Sequence, residues 1–354
     1  MFKKFAPALC CCLVSFTALA AGNAVTSQPV SIAVLGDSDS HAYGDRIFFP
    51  PDSQRRGGDY RRVTLQWTES LFRLRGKYID LGPWGEWGGG LLNRFRSLVG
   101  RTSRGPAKED YQYNFAISGA ECRDLVEGNW RQLDSLLRAM KSDAGRWRDG
   151  VVVIQIGINS IGGREQLDRF ALDGASAAIK EEVGRCVSAI GGTVRQIGQR
   201  HPATRVVVVG ISDNMDWPPY REFWRSSEAM RNINAVNDFF DEGLRDLSRA
   251  DPGRVAFLDA RAWFRRHWGG RDESGMPAYR EVRLPSGITV SNTQGDSLDN
   301  AILSDGHGGT VLNALFAMEL VNCINKAFGT RIPEIDIEEL DAYVADLRRQ
   351  LGGN

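Results

Sequence analysis

Short runs of β-branched and aliphatic residues recur along this chain with long amphipathic stretches between them, and that alternation limits the fold more than any other feature. Residues 30–35, 151–156, 205–211 and 254–258 are apolar almost throughout, as strands covered on both faces are. Residues 111–116 form a weaker strand candidate. Between them, residues 175–200 and 228–248 carry apolar side chains at helical spacing, and residues 310–327 and 337–351 supply two further helices. Strands of this kind separated by helices predict a doubly wound α/β domain.

Two segments interrupt the alternation. Residues 43–108 hold Trp67, Trp84, Trp87 and Gly88-Gly89-Gly90, and residues 269–300 contain a hairpin signal over 279–290 around Pro285-Ser286-Gly287. Both read as aromatic-bearing insertions in one domain spanning 28–330, with 331–354 as a C-terminal helical extension. The 354-residue length fits a single large α/β unit, because 42% of residues are hydrophobic and 25% charged. Lys plus Arg and Asp plus Glu both number 44, so no global field draws in nucleic acid or an anionic membrane.

The first 21 residues read as a secretory signal: Lys3 and Lys4, then an uncharged apolar run, then Ala18-Leu19-Ala20-Ala21. No later stretch approaches the ~18 uncharged apolar residues of a spanning helix. The mature protein is therefore expected to be periplasmic or secreted, with no membrane anchor after cleavage. Three of the six cysteines fall in this leader, leaving Cys122, Cys186 and Cys323. Their spacing matches no metal knuckle or disulfide scaffold, so buried single cysteines are the expectation, with a pair among them left open.

The first strand candidate runs into Gly36-Asp37-Ser38-Asp39-Ser40, which places a serine where open α/β sheets bind ligands. A serine nucleophile needs a base, and the chain has four histidines. His201 and His267 sit in charged surroundings and read as surface residues. His307 lies in Ser304-Asp305-Gly306-His307 before an apolar helix, with Asp305 two residues upstream to orient its ring. Oxyanion donors are needed too. Asn114 to Gly119 ends in a glycine whose amide can approach a substrate, and Gly157-Ile158-Asn159 places an amide side chain after the most apolar strand.

These four blocks, in this order, resemble the SGNH or GDSL hydrolases, and Gln66 to Leu71 is similar to the helix that commonly follows their nucleophile. The resemblance implies a flavodoxin-like three-layer α/β/α sandwich with a mostly parallel five-stranded sheet, and cofactor-free, metal-independent ester hydrolysis. It implies Ser38 as nucleophile, His307 as base and Asp305 as its orienting acid. The oxyanion hole would comprise Ser38, Gly119 and Asn159. The chain departs from the family's pattern in three places. Asp39-Ser40 replaces Leu-Ser after the nucleophile, Ser160 follows Asn159 where the family has aspartate, and Asp305 and His307 are two apart instead of three. The last departure keeps Asp296 and Asp299 open as alternative triad acids.

Other readings share these residues. Asp37, Asp39 and His41 with Asp305 and His307 form a candidate metal set for a phosphoesterase. An acyltransferase would use the same triad, and a carbohydrate-binding protein would have lost it. Trp84, Trp87 and Trp217, with Tyr220 and Trp224, are candidates to stack on sugar rings or to pack the insertions down. They suggest a small-molecule or carbohydrate ester as substrate. Asp213 to Asp216 is a further candidate for the pocket wall.

Overall fold

In a computed structural model, the described residues are 28–89, 104–128, 130–272 and 274–352. The expected signal, Cys10 to Cys12 and Gly90 lie outside them.

Five strands form one parallel sheet: β1 (Val30–Gly36), β2 (Ile79–Asp80), β5 (Val151–Gln155), β6 (Arg205–Val209) and β7 (Val255–Leu258), in the order β2-β1-β5-β6-β7. Side chains alternate across a strand, so each one feeds two cores. Ile32, Val34, Val151, Val153, Val207 and Val209 face α1 (Trp67–Arg75), α7 (Ala260–Trp268) and α8 (Thr310–Phe328). Ala33, Leu35, Val152, Ile154, Val206 and Val208 face α2 (Gln132–Ser142), α5 (Ala177–Arg200) and α6 (Ser227–Ala250). The result is the three-layer α/β/α arrangement with the order of a flavodoxin-like sheet. The helix α8 is the most apolar, and its Val311, Leu315 and Leu320 are fully buried in the first core.

The edge of the sheet departs from the sequence reading. Residues 111–116 do not form the second strand; that place goes to Ile79–Asp80, inside the segment read as insertion. The 111–116 run still borders β1 farther along: Val34 donates its N–H to Tyr113 O at 3.0 Å, and Phe115 N–H donates to Val34 O at 2.8 Å. One flank of β1 is thus covered by two chain segments with an excursion between them. That excursion holds the antiparallel ribbon of β3 (Trp84–Trp87) and β4 (Lys108–Tyr111).

The hairpin around Pro285-Ser286-Gly287 is present, with β10 (Val282–Arg283) antiparallel to β11 (Thr289–Gln294) and Gly287 at φ 89°. Its start differs, because Tyr279 pairs in β9 (Pro277–Tyr279) with β8 (Gly269–Arg271). The helix α9 (Ile337–Gly352) closes the chain, burying Leu340, Val344 and Leu347. It is fastened by Asp341, whose carboxylate accepts from Ser286 N at 2.8 Å and Oγ at 2.5 Å.

Cys122 and Cys186 form a disulfide, and Cys323 is free and half-buried. The expectation of single buried cysteines is corrected for this pair, which joins the turn after the second block to α5.

Candidate active site

The nucleophile block sits where β1 leaves the sheet. A Cβ on Gly36 would lie 2.4 Å from Gln155 O, so only glycine lets β1 and β5 stay in register at this point. Asp37 is buried, and its carboxylate accepts the N–H of Asp39 at 3.0 Å and of Gly157 at 3.3 Å, clamping the turn to the end of β5. Burial, with Asp39 adding to it, holds its pKa well above the usual carboxylate range. Ser38 is buried at the head of this turn, and its carbonyl accepts from Gln66 Nε2 at 3.3 Å. Gln66 caps α1 in a capping box with Glu69, whose carboxylate also accepts the N–H of Tyr43 and Gly44. The helix signalled by Gln66 to Leu71 is therefore what holds the segment after Ser38.

The second and third blocks are clipped together. Gly119 adopts φ 85° and is exposed, with a Trp130 ring carbon 4.0 Å from its Cβ position. Among the described residues, neither Ser38 N–H nor Gly119 N–H has a protein acceptor. Asn159 starts the first turn after β5 and donates one Nδ2 hydrogen to Ala120 O at 2.9 Å, leaving the other unused. Ser160, in the place of the family's aspartate, accepts the Cys122 N–H at 3.0 Å.

The last block docks onto the first. Tyr43 donates its hydroxyl to Gly308 O at 3.0 Å, and Asn313 Nδ2 bridges Gly308 O and Leu65 O. His307 Nδ1 lies 3.0 Å from Asp305 Oδ1, and its Nε2 has no protein partner among the described residues. Asp39, next to Ser38, feels the positive field of His307 and Arg56, although burial pushes its pKa upward. The reserve acids stand elsewhere: Asp296 accepts the Ser304 N–H at 3.0 Å, and Asp299 pairs with Arg348.

One residue of the site has no counterpart in the sequence reading. Arg56 is 2% exposed and enters from the loop before α1. Its Nη1 lies 2.6 Å from Asp305 Oδ2 and 2.6 Å from His307 Nδ1, its backbone N–H donates to the same Oδ2 at 3.0 Å, and its guanidinium covers the Phe49 ring at 4.3 Å. Its backbone sits at φ 57°, a left-handed conformation that costs a non-glycine residue roughly 1–2 kcal/mol. With Asp305 accepting from both Arg56 and His307, its carboxyl is held far below the usual range. The local sequence Gln54-Arg55-Arg56-Gly57-Gly58 offers one signal, since its glycines allow the tight turn that aims the second arginine inward.

The metal reading does not assemble. His41 Nε2–H donates to Asp45 Oδ2 at 2.7 Å and its Nδ1 accepts the Ser118 N–H at 3.0 Å, so both ring nitrogens are used. Asp37 serves backbone amides and Asp305 serves Arg56. Among the described residues no group of three His, Cys, Asp or Glu side chains is placed to hold a metal ion. His201 ends α5, and His267 packs by Trp263 and Trp268.

Of the aromatic candidates, Trp217 alone lines the narrow cavity of about 30 Å³ that opens beside Asp39, together with Phe264, Leu312 and Phe316. It donates Nε1–H to Gly306 O at 2.6 Å and stacks on Phe264. Trp84 packs edge-on against Tyr111 and Trp87 donates to Asp110 O, both on the ribbon. Tyr220 and Trp224 pack on each other, and Trp224 donates to Asp168. Ser212 reaches the cavity wall, whereas Asp213 pairs with Arg265 and Asp216 lies beside Arg271.

The family model of the GDSL-like Lipase/Acylhydrolase family matches residues 34–278, and the chain belongs to that family. It is an ester-hydrolysing enzyme. The match includes Ser38, Gly119 and Asn159 and ends before Asp305 and His307. Similar solved structures include a putative platelet activating factor from Streptococcus pneumonia, 12% identical over 85% of this chain and 86% of that one, with a TM-score of 0.35. Others are a putative GDSL-like lipase from Parabacteroides merdae ATCC 43184 (14% identity, 85% and 96% covered, TM-score 0.39) and the lipase Lip_vut3 from a goat rumen metagenome (12%, 83% and 97%, 0.38). No curated protein matches the chain in sequence.

Proposed function

We propose that this enzyme is an exported serine esterase that removes a small acyl group from a carbohydrate ester. The carrying observation is the His307 ring, with Nδ1 at 3.0 Å from Asp305 and Nε2 left unpartnered. With Nδ1–H given to Asp305, Nε2 presents its lone pair and takes the Ser38 proton as Oγ attacks the ester carbonyl. Ser38 N–H, Gly119 N–H and the spare Asn159 Nδ2 hydrogen receive the oxyanion. Collapse gives the acyl-serine and expels the alcohol, which takes its proton from Nε2. Water, deprotonated by the same nitrogen, then releases the acid and restores Ser38.

Two features favour water over a sugar hydroxyl as the second acceptor. Gly119 is exposed, and open grooves run past Gly119 and Asn159. The narrow cavity beside Asp39, walled by Trp217, Phe264 and Leu312, suits a short acyl group. The leader read in residues 1–21 supports export to the periplasm or beyond.

The test is hydrolysis of a p-nitrophenyl ester series and of acetylated oligosaccharides, with and without EDTA, alongside Ser38→Ala and His307→Ala. Chelator-resistant activity on short acyl esters, lost in both variants, is expected. Activity confined to long-chain lipid esters would remove the substrate assignment. Metal-dependent activity on a phosphoester, or full activity in either variant, would remove the mechanism.

A further inference from the structure

We infer that Arg56 is a positioning residue of the active site, fixing the Asp305 carboxylate so that one chosen oxygen faces His307. The inference rests on the triad reading above and adds to it a residue from the loop before α1.

A carboxylate two residues before its histidine lies in the same tight turn and has alternative local partners. Here Oδ1 already accepts the backbone N–H of His307 at 3.3 Å as well as facing Nδ1 at 3.0 Å. Nothing within that turn fixes the other oxygen. Arg56 does so from outside, with two donors on Oδ2: its Nη1 at 2.6 Å and its own backbone N–H at 3.0 Å. The carboxylate plane is thereby set by one residue 249 positions away in sequence. Its Oδ1 is left for the imidazole.

The arginine is itself held. Its guanidinium lies over Phe49 at 4.3 Å and beside Tyr43 at 5.1 Å, Nη2 reaches towards Ser118 Oγ at 3.5 Å, and Nε is buried with no acceptor among the described residues. Held in this way, the guanidinium directs Nη1 between the two members of the proposed acid–base pair, at 2.6 Å from each. The proximity of Nη1 to Nδ1 also has a definite meaning. When Nδ1 carries its proton the two are both donors, and Asp305 is the acceptor they share. At 2.6 Å the two donors repel each other, so the tautomer that leaves Nε2 free is held only through the Asp305 anion, which accepts from both. The shortened Asp–His spacing and the buried arginine go together: the loop before α1 supplies the restraint that the turn lacks.

The experiment measures kcat and KM separately on a short-chain p-nitrophenyl ester for the full-length protein, Arg56→Ala, Arg56→Lys and His307→Ala, each with and without added guanidinium chloride at non-denaturing concentration. Arg56→Ala is expected to lose kcat on the order of 100-fold with KM little changed. Guanidinium should restore part of that loss in Arg56→Ala and none in His307→Ala. Wild-type kcat in Arg56→Ala overturns the inference, as does a kcat loss in folded protein that guanidinium leaves untouched. If Arg56→Ala does not fold, Arg56→Lys decides, because it keeps the charge and loses the forked geometry. A lowered kcat at unchanged KM supports the inference, and wild-type kcat overturns it. Full activity in His307→Ala is a different outcome, since it would remove the triad on which the inference stands.

Discussion

The Nδ1 atom of His41 accepts the backbone N–H of Ser118 at 3.0 Å while its Nε2–H donates to Asp45 at 2.7 Å. A histidine three residues after the proposed nucleophile thus holds the residue before Gly119, and the two loops are set relative to one another by a neutral ring. Burial pushes its pKa down to about 4 from an ordinary 6.5, with Lys108 adding to the effect. The folded protein therefore resists a proton that the unfolded chain accepts. Its contribution is complete above pH 6.5 and is lost as pH falls to about 4, amounting to about 3 kcal/mol across the window. Urea midpoints measured between pH 7 and 4.5 should show this loss. The variant His41→Asn should be less stable at pH 7 and fall less steeply.

Asp305, and neither Asp296 nor Asp299, faces His307. Asp305→Asn should lower kcat by about 10²- to 10⁴-fold, because the amide favours the wrong tautomer of the ring. Asp296→Asn and Asp299→Asn should keep kcat within a few-fold of wild type. Equal losses in all three would refute the assignment.

The Cys122–Cys186 disulfide closes a loop with a sequence separation of 64 and anchors the segment that follows Gly119. Loop-closure entropy places its contribution at about 4 kcal/mol or less. Reduction, or the variant Cys122→Ser/Cys186→Ser, should lower the melting temperature and leave an enzyme more easily inactivated by heat. Cys323→Ser should change neither property, and calorimetry of the three proteins checks the comparison.

Trp217 walls the cavity, while Trp84 and Trp87 brace the ribbon. Trp217→Ala should shift preference in a p-nitrophenyl series towards longer acyl chains through a rise in kcat/KM for the longer esters. Trp84→Ala should leave the chain-length preference unaltered. An unchanged profile in Trp217→Ala would detach the cavity from acyl recognition.

Strands that read as continuous apolar runs were legible because a parallel strand buried on both faces leaves an unmistakable pattern, as residues 151–155 do. Ile79–Asp80 was not, since two residues carry no period. The blocks around Ser38, Gly119, Asn159 and His307 were visible because each follows a strand or precedes a helix. Arg56 stands beside Arg55 with the same side chain, yet one is exposed and the other buried in the site. Only the turn through Gly57 and Gly58 distinguishes them, and that is a property of the folded loop. The disulfide was likewise hidden, because pairing across 64 residues depends on how α5 packs against the turn after the second block.

The docking of the last block onto the first also has a consequence for synthesis. Arg56 and Asp305 meet across 249 residues, and Tyr43 and Gly308 across 265. On the ribosome, the strands, Ser38 and the oxyanion donors all emerge before the segment carrying the proposed base. A chain stopped short of His307 would hold a nucleophile that nothing can deprotonate. Hydrolysis would begin only once the C-terminal part had docked, so catalytic competence itself would report completed folding.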